Sequence, residues 1–424
     1  MKCNAWTIAL IGAGVVSLPA VTQADEATNA VPALLTSLAS TTLSGYVDTS
    51  AHWNPGTGNN NLPTYSPNGA PGGTKADGFN FNLVNLTLSH PAGDGWSAGY
   101  NASLLMGPDA VGYNTSVGAG NSDFGLKDAY VDLHAPICNG LDVKIGTFTE
   151  ILGYEVFETG NNPNYTRSYG YEIEPTALTG VLASYPICGN LVISGGAANT
   201  WSSGINARAF NPGGPVGATH AESYKTYMGS LTYTFPTNTG FLSGSTVGGG
   251  VINGWDAVNG VVKTSYYIGG TVNTPINNLK AGAAFDYVTL GPNNLGFDYG
   301  TGAALAEDSG YQYAIGLYAS FQATEKLSLY ARGEYFKQSG YLQFNSVNPN
   351  YSGMANGAFE LTGTVQYDLW KNVLARVEFR WDHAEHNDPY GGTAGTAALG
   401  VGGAPPIGNK SDEYLLAANF IYKF

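Results

Sequence analysis

Charged side chains alternate with other residues near the C-terminus, and this spacing could serve ion or ligand binding. In "VLARVEFRWDH" (373–383) four consecutive even positions are charged: Arg376, Glu378, Arg380 and Asp382. A two-residue period places these side chains on one face of a β-strand. "YARGEYF" (330–336) repeats the arrangement with Arg332 and Glu334. Such a face could be an arginine wall that orients dipolar solutes or a ladder of neutralising ion pairs, and the alternation of sign slightly favours the ladder.

Signals for enzyme or metal chemistry are weak. "WDHAEHND" (381–388) holds His383 and His386 beside acidic residues, but no third ligand is spaced to complete a metal site. A solvated loop is therefore the better interpretation. The chain has no haem-binding CxxCH motif, and no sequence-local Ser–His pair suggests a hydrolase, although a triad assembled across strands would not be visible. We expect no enzyme activity, no metal and no cofactor.

The first 24 residues are typical of a secretory signal peptide, with cleavage after Ala24. Residues 25–40 would then form a periplasmic leader. Cys138 and Cys188 remain in the mature chain, in the matching contexts "PICNGL" and "PICGNL" at two successive short turns. In an oxidising compartment a disulfide between them is an open alternative to two free thiols, because their strands are two apart and roughly 10 Å must be closed.

The composition narrows the class of protein. Charged residues make up 11% of the 424 residues, less than half of the roughly 25% usual in soluble domains. Gly (59 residues) and Tyr (28 residues) are abundant, and the mean hydropathy of -0.09 is too low for a helical membrane protein. A net charge of -14 gives no electrostatic basis for nucleic-acid binding. These features favour a sheet protein whose polar half is mostly uncharged.

The connections between predicted strands alternate in length. We predict about sixteen strands between "TTLSGYVDTSAHW" (41–53) and "EYLLAANFIYKF" (413–424). Short links such as "PAGDG", "CNG" and "KN" are typical of hairpin turns, and they alternate with long Gly-, Asn- and Tyr-rich connections. Residues 41–424 are therefore predicted to form an all-β, transmembrane antiparallel barrel with short periplasmic turns and long extracellular loops.

The facing of the strands agrees with a barrel in lipid. One set of alternating positions is apolar, whereas the other is Ser, Thr, Gly, Asn or charged and needs water, which a lumen supplies. The six Trp of the mature chain fall near strand ends, where interfacial aromatic girdles are expected. The final segment, ending on Phe424, is predicted to be the closing strand.

Several segments carry a family resemblance. "NPNYTRSY", "TGVLASY", "LSGYVDTSAHW" and "FNLVNLTLSHP" resemble the OmpL-like β-barrel porins of bacterial outer membranes, over about residues 43–200. The second half is similar only to barrels in general. The resemblance implies an outer-membrane pore without a named substrate. It also implies that Phe424 belongs to a signal recognised by the barrel-assembly machinery.

The predicted function follows from the strand number. A barrel of about sixteen strands encloses an aqueous channel, so we expect passive diffusion of small hydrophilic solutes and ions. The expected location is the outer membrane of a Gram-negative bacterium, among its lipids, and a homotrimer is expected by analogy alone. A channel biased towards sugars or small nutrients is the nearest alternative, because Tyr and Trp rings can stack on sugars. A plugged barrel acting as an adhesin or structural protein, or a hydrolase at the rim, stays open.

The loop between strands five and six is the predicted constriction. "ILGYEVFETGNNPNYTRSYGYEIEP" (151–175) mixes charged and aromatic residues. The candidate constriction residues are Tyr154, Glu155, Glu158, Tyr165, Arg167, Tyr169, Tyr171 and Glu172. We expect the loop to fold inward and to face the charged strand residues from half a barrel away. The alternative is an external loop packed on its neighbours.

Overall fold

The structure is a computed structural model. It describes residues 40–63, 76–110, 113, 124–202, 204–209, 223–257, 261–291, 310–339, 356–386, 388–392 and 408–424. The predicted signal peptide and all but the last residue of the predicted leader lie outside the described residues. The boundary predicted at residue 41 is close to the first strand, which begins at Thr42.

The predicted sixteen strands and their antiparallel arrangement are confirmed. The strands, numbered in chain order, are β1 (Thr42–Trp53), β2 (Gly78–His90), β3 (Ser97–Met106), β4 (Phe124–Ala135), β5 (Leu141–Thr149), β6 (Ala177–Cys188), β7 (Leu191–Ala198), β8 (Thr226–Thr234), β9 (Thr246–Asp256), β10 (Val261–Asn273), β11 (Leu279–Leu290), β12 (Gly310–Gln322), β13 (Leu327–Gln338), β14 (Gly357–Trp370), β15 (Val373–Ala384) and β16 (Asp412–Lys423).

The sheet closes on itself. Each strand pairs with its sequence neighbours, and β1 pairs with β16 to complete the barrel. At the seam the backbone N–H of Gly45 donates to the Phe424 carbonyl at 3.0 Å, and the Phe424 N–H donates to the Gly45 carbonyl at 3.0 Å. The last residue of the chain therefore completes the seam, and the sheet has no free edge.

The two faces of the strands separate as the alternation predicts. On β15 the side chains of Val377 and Phe379 are 55% and 46% exposed, whereas Arg376 and Arg380 are buried inside. The same apolar face continues on β14 through Leu361 and its neighbours. A closed barrel with an apolar outer face and a polar interior is the arrangement required for a sheet in lipid.

The predicted aromatic girdle is correct for some Trp residues and wrong for others. Trp53, Trp96 and Trp370 are exposed at strand ends. Trp201 and Trp255 also lie at strand ends, but they are buried. The two buried rings pack on inner residues or beneath loop residues: Trp201 donates to Ser265 Oγ at 3.0 Å and Trp255 packs on Ala209. Position near a strand end therefore does not determine whether a ring faces lipid.

Helical structure in the described residues is confined to short segments. These are one α-helix, α1 (Tyr169–Ile173), and 3-10 turns at Pro108–Ala110, Thr159–Asn161 and Gly240–Leu242. Within the described ranges, no helix combines the length and the apolar character needed to cross a membrane. Both α1 and the turn at Thr159–Asn161 belong to the connection between β5 and β6.

Candidate functional site

Loop 3, defined here as residues 150–176 between β5 and β6, folds into the barrel. It leaves from the rim opposite the short turns, yet its tip lies close to the end of the last strand. Lys423 Nζ donates to the Gly160 carbonyl at 3.0 Å and to Asn161 Oδ1 at 3.2 Å. The loop therefore extends through much of the depth of the lumen, and the alternative of an external loop is wrong.

Hydrogen bonds within loop 3 stabilise its local conformation. Asn162 is buried and binds the backbone of Val156 on both sides, accepting from its N–H at 2.8 Å and donating to its carbonyl at 2.6 Å. Ser168 caps α1, because its Oγ accepts from the Tyr171 N–H at 3.0 Å. Such side-chain bonds give buried loop backbone the partners that a sheet or long helix would otherwise supply.

The inward faces of β13, β14 and β15 hold the loop, and we call them the anchor wall. Arg332 of β13 donates from Nη1 to Glu155 Oε1 at 2.7 Å and to the Thr166 carbonyl at 2.8 Å. Its Nε also binds Glu360 Oε2 of β14 at 3.2 Å. One guanidinium thus joins two wall strands to two separate parts of loop 3.

The arginines of β15 bind loop carbonyls in the same way. Arg376 donates to the carbonyls of Thr159 at 2.8 Å and Asn162 at 2.7 Å. Arg380 donates to the Arg167 carbonyl at 2.6 Å, and its Nε binds Asp382 Oδ2 at 2.7 Å. Five guanidinium donors in a fixed fork suit such multiple contacts.

Wall carboxylates accept hydrogen bonds from loop backbone amides. Glu378 accepts from the N–H groups of Tyr165 at 2.5 Å and Thr166 at 2.8 Å. Glu334 accepts from the Tyr169 N–H at 2.9 Å. The anchor wall therefore presents donors to loop carbonyls and acceptors to loop amides, which explains the alternation of sign along β13 and β15.

An arginine wall facing the loop across open water, the less favoured of the two alternatives, is not formed. The side chains of Arg332, Arg376 and Arg380 are at most 2% exposed, because loop 3 lies directly on them. The alternative of a cross-strand ion-pair ladder is partly right, since Arg332 does pair with Glu360. The sequence could not reveal the main partners, because backbone carbonyls leave no signal in residue type.

The loop tyrosines are mostly packing residues. Tyr165, Tyr169 and Tyr171 are buried, and Tyr169 stacks on Phe336 of the anchor wall with ring centroids 5.0 Å apart. Tyr154 stacks on the inward Tyr318 of β12 at 3.9 Å. These rings hold the loop in place, so they do not form an exposed slide for sugar rings.

The structure also shows the contacts of the other charged residues predicted for loop 3. Glu158 binds Lys127 of β4 at 2.6 Å, on the side of the barrel away from the anchor wall. Arg167 is fully buried, and its guanidinium lies 5.3 Å from the ring centre of Tyr171. Glu172 is half-buried on α1, and burial raises the pKa of its carboxyl to about 8. Loop 3 is thus held on both sides of the lumen.

Two carboxyl groups at the ends of loop 3, Glu150 and Glu174, lie near Asp286 of β11, and we call these three residues the acid cluster. Asp286 points inward from β11, and its alternation in "KAGAAFDYV" (280–288) was the signal that could have identified it. Burial, followed by the nearby Asp286 carboxylate, raises the pKa of Glu174 well above its ordinary value. Burial also raises the pKa of Glu150 to about 8. The cluster was not predicted as a unit.

The inward faces of β7, β8 and β9 differ from the anchor wall, and we call them the open wall. Its central inward residues are small and uncharged, and all are half-buried rather than buried: Ser194, Gly196, Ser230, Thr232 and Gly248. At the outer end, Leu152 of loop 3 reaches β9, where a Cβ on Gly250 would lie 2.7 Å from Leu152 Cδ2. Solvent therefore reaches the centre of the open wall.

The cysteines and histidines predicted as chemistry candidates are at the rims. Cys138 and Cys188 are free and exposed, so the disulfide alternative is not formed in this structure. Their turns are in contact, since Asn139 Nδ2 donates to the carbonyls of Pro186 and Ile187 at 3.0 Å each. His383 pairs with Asp412. The described residues contain no group of three or more His, Cys, Asp or Glu able to hold a metal ion.

Comparisons with solved structures agree with this architecture. The outer membrane channel DcaP of Acinetobacter baumannii is 12% identical with a TM-score of 0.57, covering 91% of this chain and 97% of that chain. The anion-selective porin of Comamonas acidovorans is 13% identical with a TM-score of 0.53, covering 91% and 99%. Salmonella typhi OmpF, in complex with daunomycin, is 11% identical with a TM-score of 0.52, covering 91% and 97%. At such identities these likenesses concern the fold.

The family assignment comes from the sequence. No curated protein matches the chain. The profile of the family described as "Putative beta-barrel porin-2, OmpL-like" matches residues 40–424. The match includes the second half, so the expectation that only the first half resembles the family is corrected. Family and fold are those of a channel rather than an enzyme. The chain belongs to the OmpL-like β-barrel porin family and is an outer-membrane porin of Gram-negative type.

Proposed function

We propose that this porin passes small hydrophilic solutes and ions by passive diffusion, with loop 3 as the constriction. The observation that carries the proposal is the fixation of loop 3 inside the barrel. Arg332, Arg376 and Arg380 bind it from one side, and Lys127 binds it from the other. A loop held at so many points narrows the lumen by a fixed amount, as a size filter requires.

The path for solutes runs between loop 3 and the open wall. Side chains on the anchor wall are covered, whereas Ser194, Ser230 and Thr232 stay accessible to water. Hydroxyl groups on such a surface offer hydrogen bonds without a strong preference for one solute. This favours general diffusion over a dedicated sugar site, for which an exposed aromatic surface would be expected.

Single-channel recording of the refolded mature protein in a planar bilayer tests the proposal. We expect discrete ohmic steps, and we expect larger steps when residues 154–172 are replaced by a short Gly-Ser linker. Leu361→Ala, on the lipid face of β14, is the control and should leave the step size unchanged. A wild type that inserts but conducts no current would contradict the proposal, and would favour a plugged barrel acting through its outer loops.

Three sequence predictions stay proposals beside this one. They are assembly as a homotrimer, recognition of the C-terminal Phe424 by the barrel-assembly machinery, and removal of residues 1–24. The backbone of Phe424 is already engaged at the seam, while its ring is 46% exposed and accessible to another protein. Crosslinking of the native envelope and N-terminal sequencing of the mature protein would test the first and the last.

A further inference from the structure

The inward residues of the open wall change in character towards the outer rim, which carries the long connections. On β8 the half-buried Ser230 is followed outward by Met228, which is 7% exposed. On β9 the half-buried Gly250 is followed outward by Ile252, which is 0% exposed. Ala198, at the outer end of β7, is 1% exposed. The accessible space along the open wall therefore ends below the outer rim.

Two side chains from different connections cover this outer end. Leu152 belongs to loop 3, and Trp201 belongs to the connection between β7 and β8. They are 6% and 8% exposed, and they form one apolar cluster with Ala198, Met228 and Ile252. We call these five residues the outer seal. Apolar side chains in contact offer water no hydrogen bonds, so the outer seal excludes water from this end of the open wall.

The two sides of the outer seal are held differently. Leu152 is part of loop 3, which charged groups such as Arg332 bind at several points. Trp201 is bound through its indole N–H, which donates to Ser265 Oγ at 3.0 Å, and through its backbone N–H, which donates to the Trp255 carbonyl at 2.8 Å. Lys263 Nζ also lies 4.3 Å from the centre of its ring. Bonds between neutral groups are weaker than charge-assisted ones, so Trp201 is the more easily displaced side.

We propose that the outer seal is a hydrophobic gate of the channel and that Trp201 is its moving residue. This inference rests on the proposed channel function. An apolar constriction that excludes water also stops hydrated ions and polar solutes, so the structure represents the closed gate. Movement of the Trp201 ring away from Ser265 and Leu152 opens the outer end of the open wall, while loop 3 stays on the anchor wall.

Single-channel recording in a planar bilayer tests the gate. The wild type should alternate between open and closed levels, and Trp201→Ala should stay open several-fold longer because the closing ring is absent. Trp255→Ala is the matched control. Trp255 is also a buried indole at the outer end of the barrel, but it shares the outward face of β9 with Val251 and packs on Ala209. Its loss should leave the open time unchanged.

A second variant tests the gate without removing the ring. Ser265→Ala takes away the acceptor of the Trp201 indole N–H and leaves the apolar side chains of the outer seal in place. Openings should become more frequent than in the wild type, with a smaller effect than that of Trp201→Ala. This variant keeps the proposal open to test if Trp201→Ala folds poorly.

The outcomes separate the gate from the channel function. Absence of channel steps in the wild type and in Trp201→Ala alike would reject the channel function itself. Steps with the same open time in the wild type, Trp201→Ala and Ser265→Ala would overturn the gate and leave the channel function intact. An equally long open time in Trp255→Ala would also overturn it, because loss of any buried indole would then have the same effect.

Discussion

The anchor wall and the open wall are parts of one barrel with the same strand geometry, yet they have opposite chemistry. On β13 and β15 of the anchor wall, arginine alternates with carboxylate at inward positions, and all of these groups are buried beneath loop 3. At the centre of the open wall, inward positions are Gly, Ser and Thr, and these residues are only half-buried. The charged groups of the anchor wall bind loop 3. The charged face of a porin is therefore not necessarily the face that contacts the solute.

The difference has a physical basis. A loop inside a barrel brings backbone N–H and C=O groups that need partners. Alternating arginines and carboxylates satisfy both kinds of group, with charge-assisted hydrogen bonds that are stronger than neutral ones. A wall lined with small hydroxyl residues would bind the loop less firmly, and it leaves more space. The anchor wall therefore holds the constriction in place, and the open wall leaves space for solutes to pass.

Replacement of Arg332 should have the largest effect on the docking of loop 3 against the anchor wall. Arg332→Ala would leave Glu155 and Glu360 buried without their cation, at a cost of about 3–5 kcal/mol. Loop 3 should then leave the anchor wall, giving higher and noisier single-channel currents. Ser194→Ala on the open wall is the control and should behave as wild type. Quiet currents of wild-type size from Arg332→Ala would contradict the role of the anchor wall.

A milder change to the same wall should give an intermediate effect. Glu378→Gln keeps the side-chain size but removes the charge that accepts from the amides of Tyr165 and Thr166. Hydrogen bonds to charged groups contribute about 1.5–3 kcal/mol, so loop docking should weaken by an amount in this range. Limited proteolysis of loop 3 in detergent would measure it. Protection equal to wild type would show that these bonds do not hold the loop.

The ratio of K⁺ to Cl⁻ permeability should rise with pH, because two carboxyl groups of loop 3 gain negative charge. Burial raises the pKa values of Glu150 and Glu172 to about 8, so both are largely neutral below that pH and charged above it. The charged groups acting on them are Lys127, Asp128 and Glu158 for Glu150, and Arg167, Arg380 and Glu155 for Glu172. Between about pH 6 and about pH 9 the ratio of K⁺ to Cl⁻ permeability should therefore increase.

The matched control for this pH response is Glu150→Gln/Glu172→Gln, which removes the two titrating carboxyls. Its permeability ratio should vary less over the same range of pH. A ratio that is independent of pH in the wild type would mean that these carboxyls do not act on the passing ion.

The rim cysteines should have the smallest effect. Cys138 and Cys188 are exposed and lie outside both walls, so Cys138→Ser/Cys188→Ser should conduct as the wild type does. A maleimide should label both thiols of the wild type without prior reduction. Labelling only after reduction would instead identify a disulfide that joins the two periplasmic turns.

The outside of the barrel was far more predictable from the sequence than its inside. Alternation along a strand shows which side chains face lipid, as in "VLARVEFRWDH". This holds because all outward side chains of a closed sheet contact the same lipid environment. The length and composition of loop 3 also predicted its inward fold. The partners of Arg376 were not predictable, since they are backbone carbonyls more than 200 residues away along the chain. Asp286 was overlooked because a single inward acid resembles any other lumen residue.

The most direct test of the central claim is a pair of tryptophan substitutions on β8, measured by single-channel conductance. Ser230 faces the lumen on the open wall, and its neighbour Leu231 is 52% exposed on the lipid face. We predict that Ser230→Trp lowers the conductance by about twofold or more, because it fills the passage. Leu231→Trp should leave it unchanged. Equal conductance in both variants would contradict a passage along the open wall.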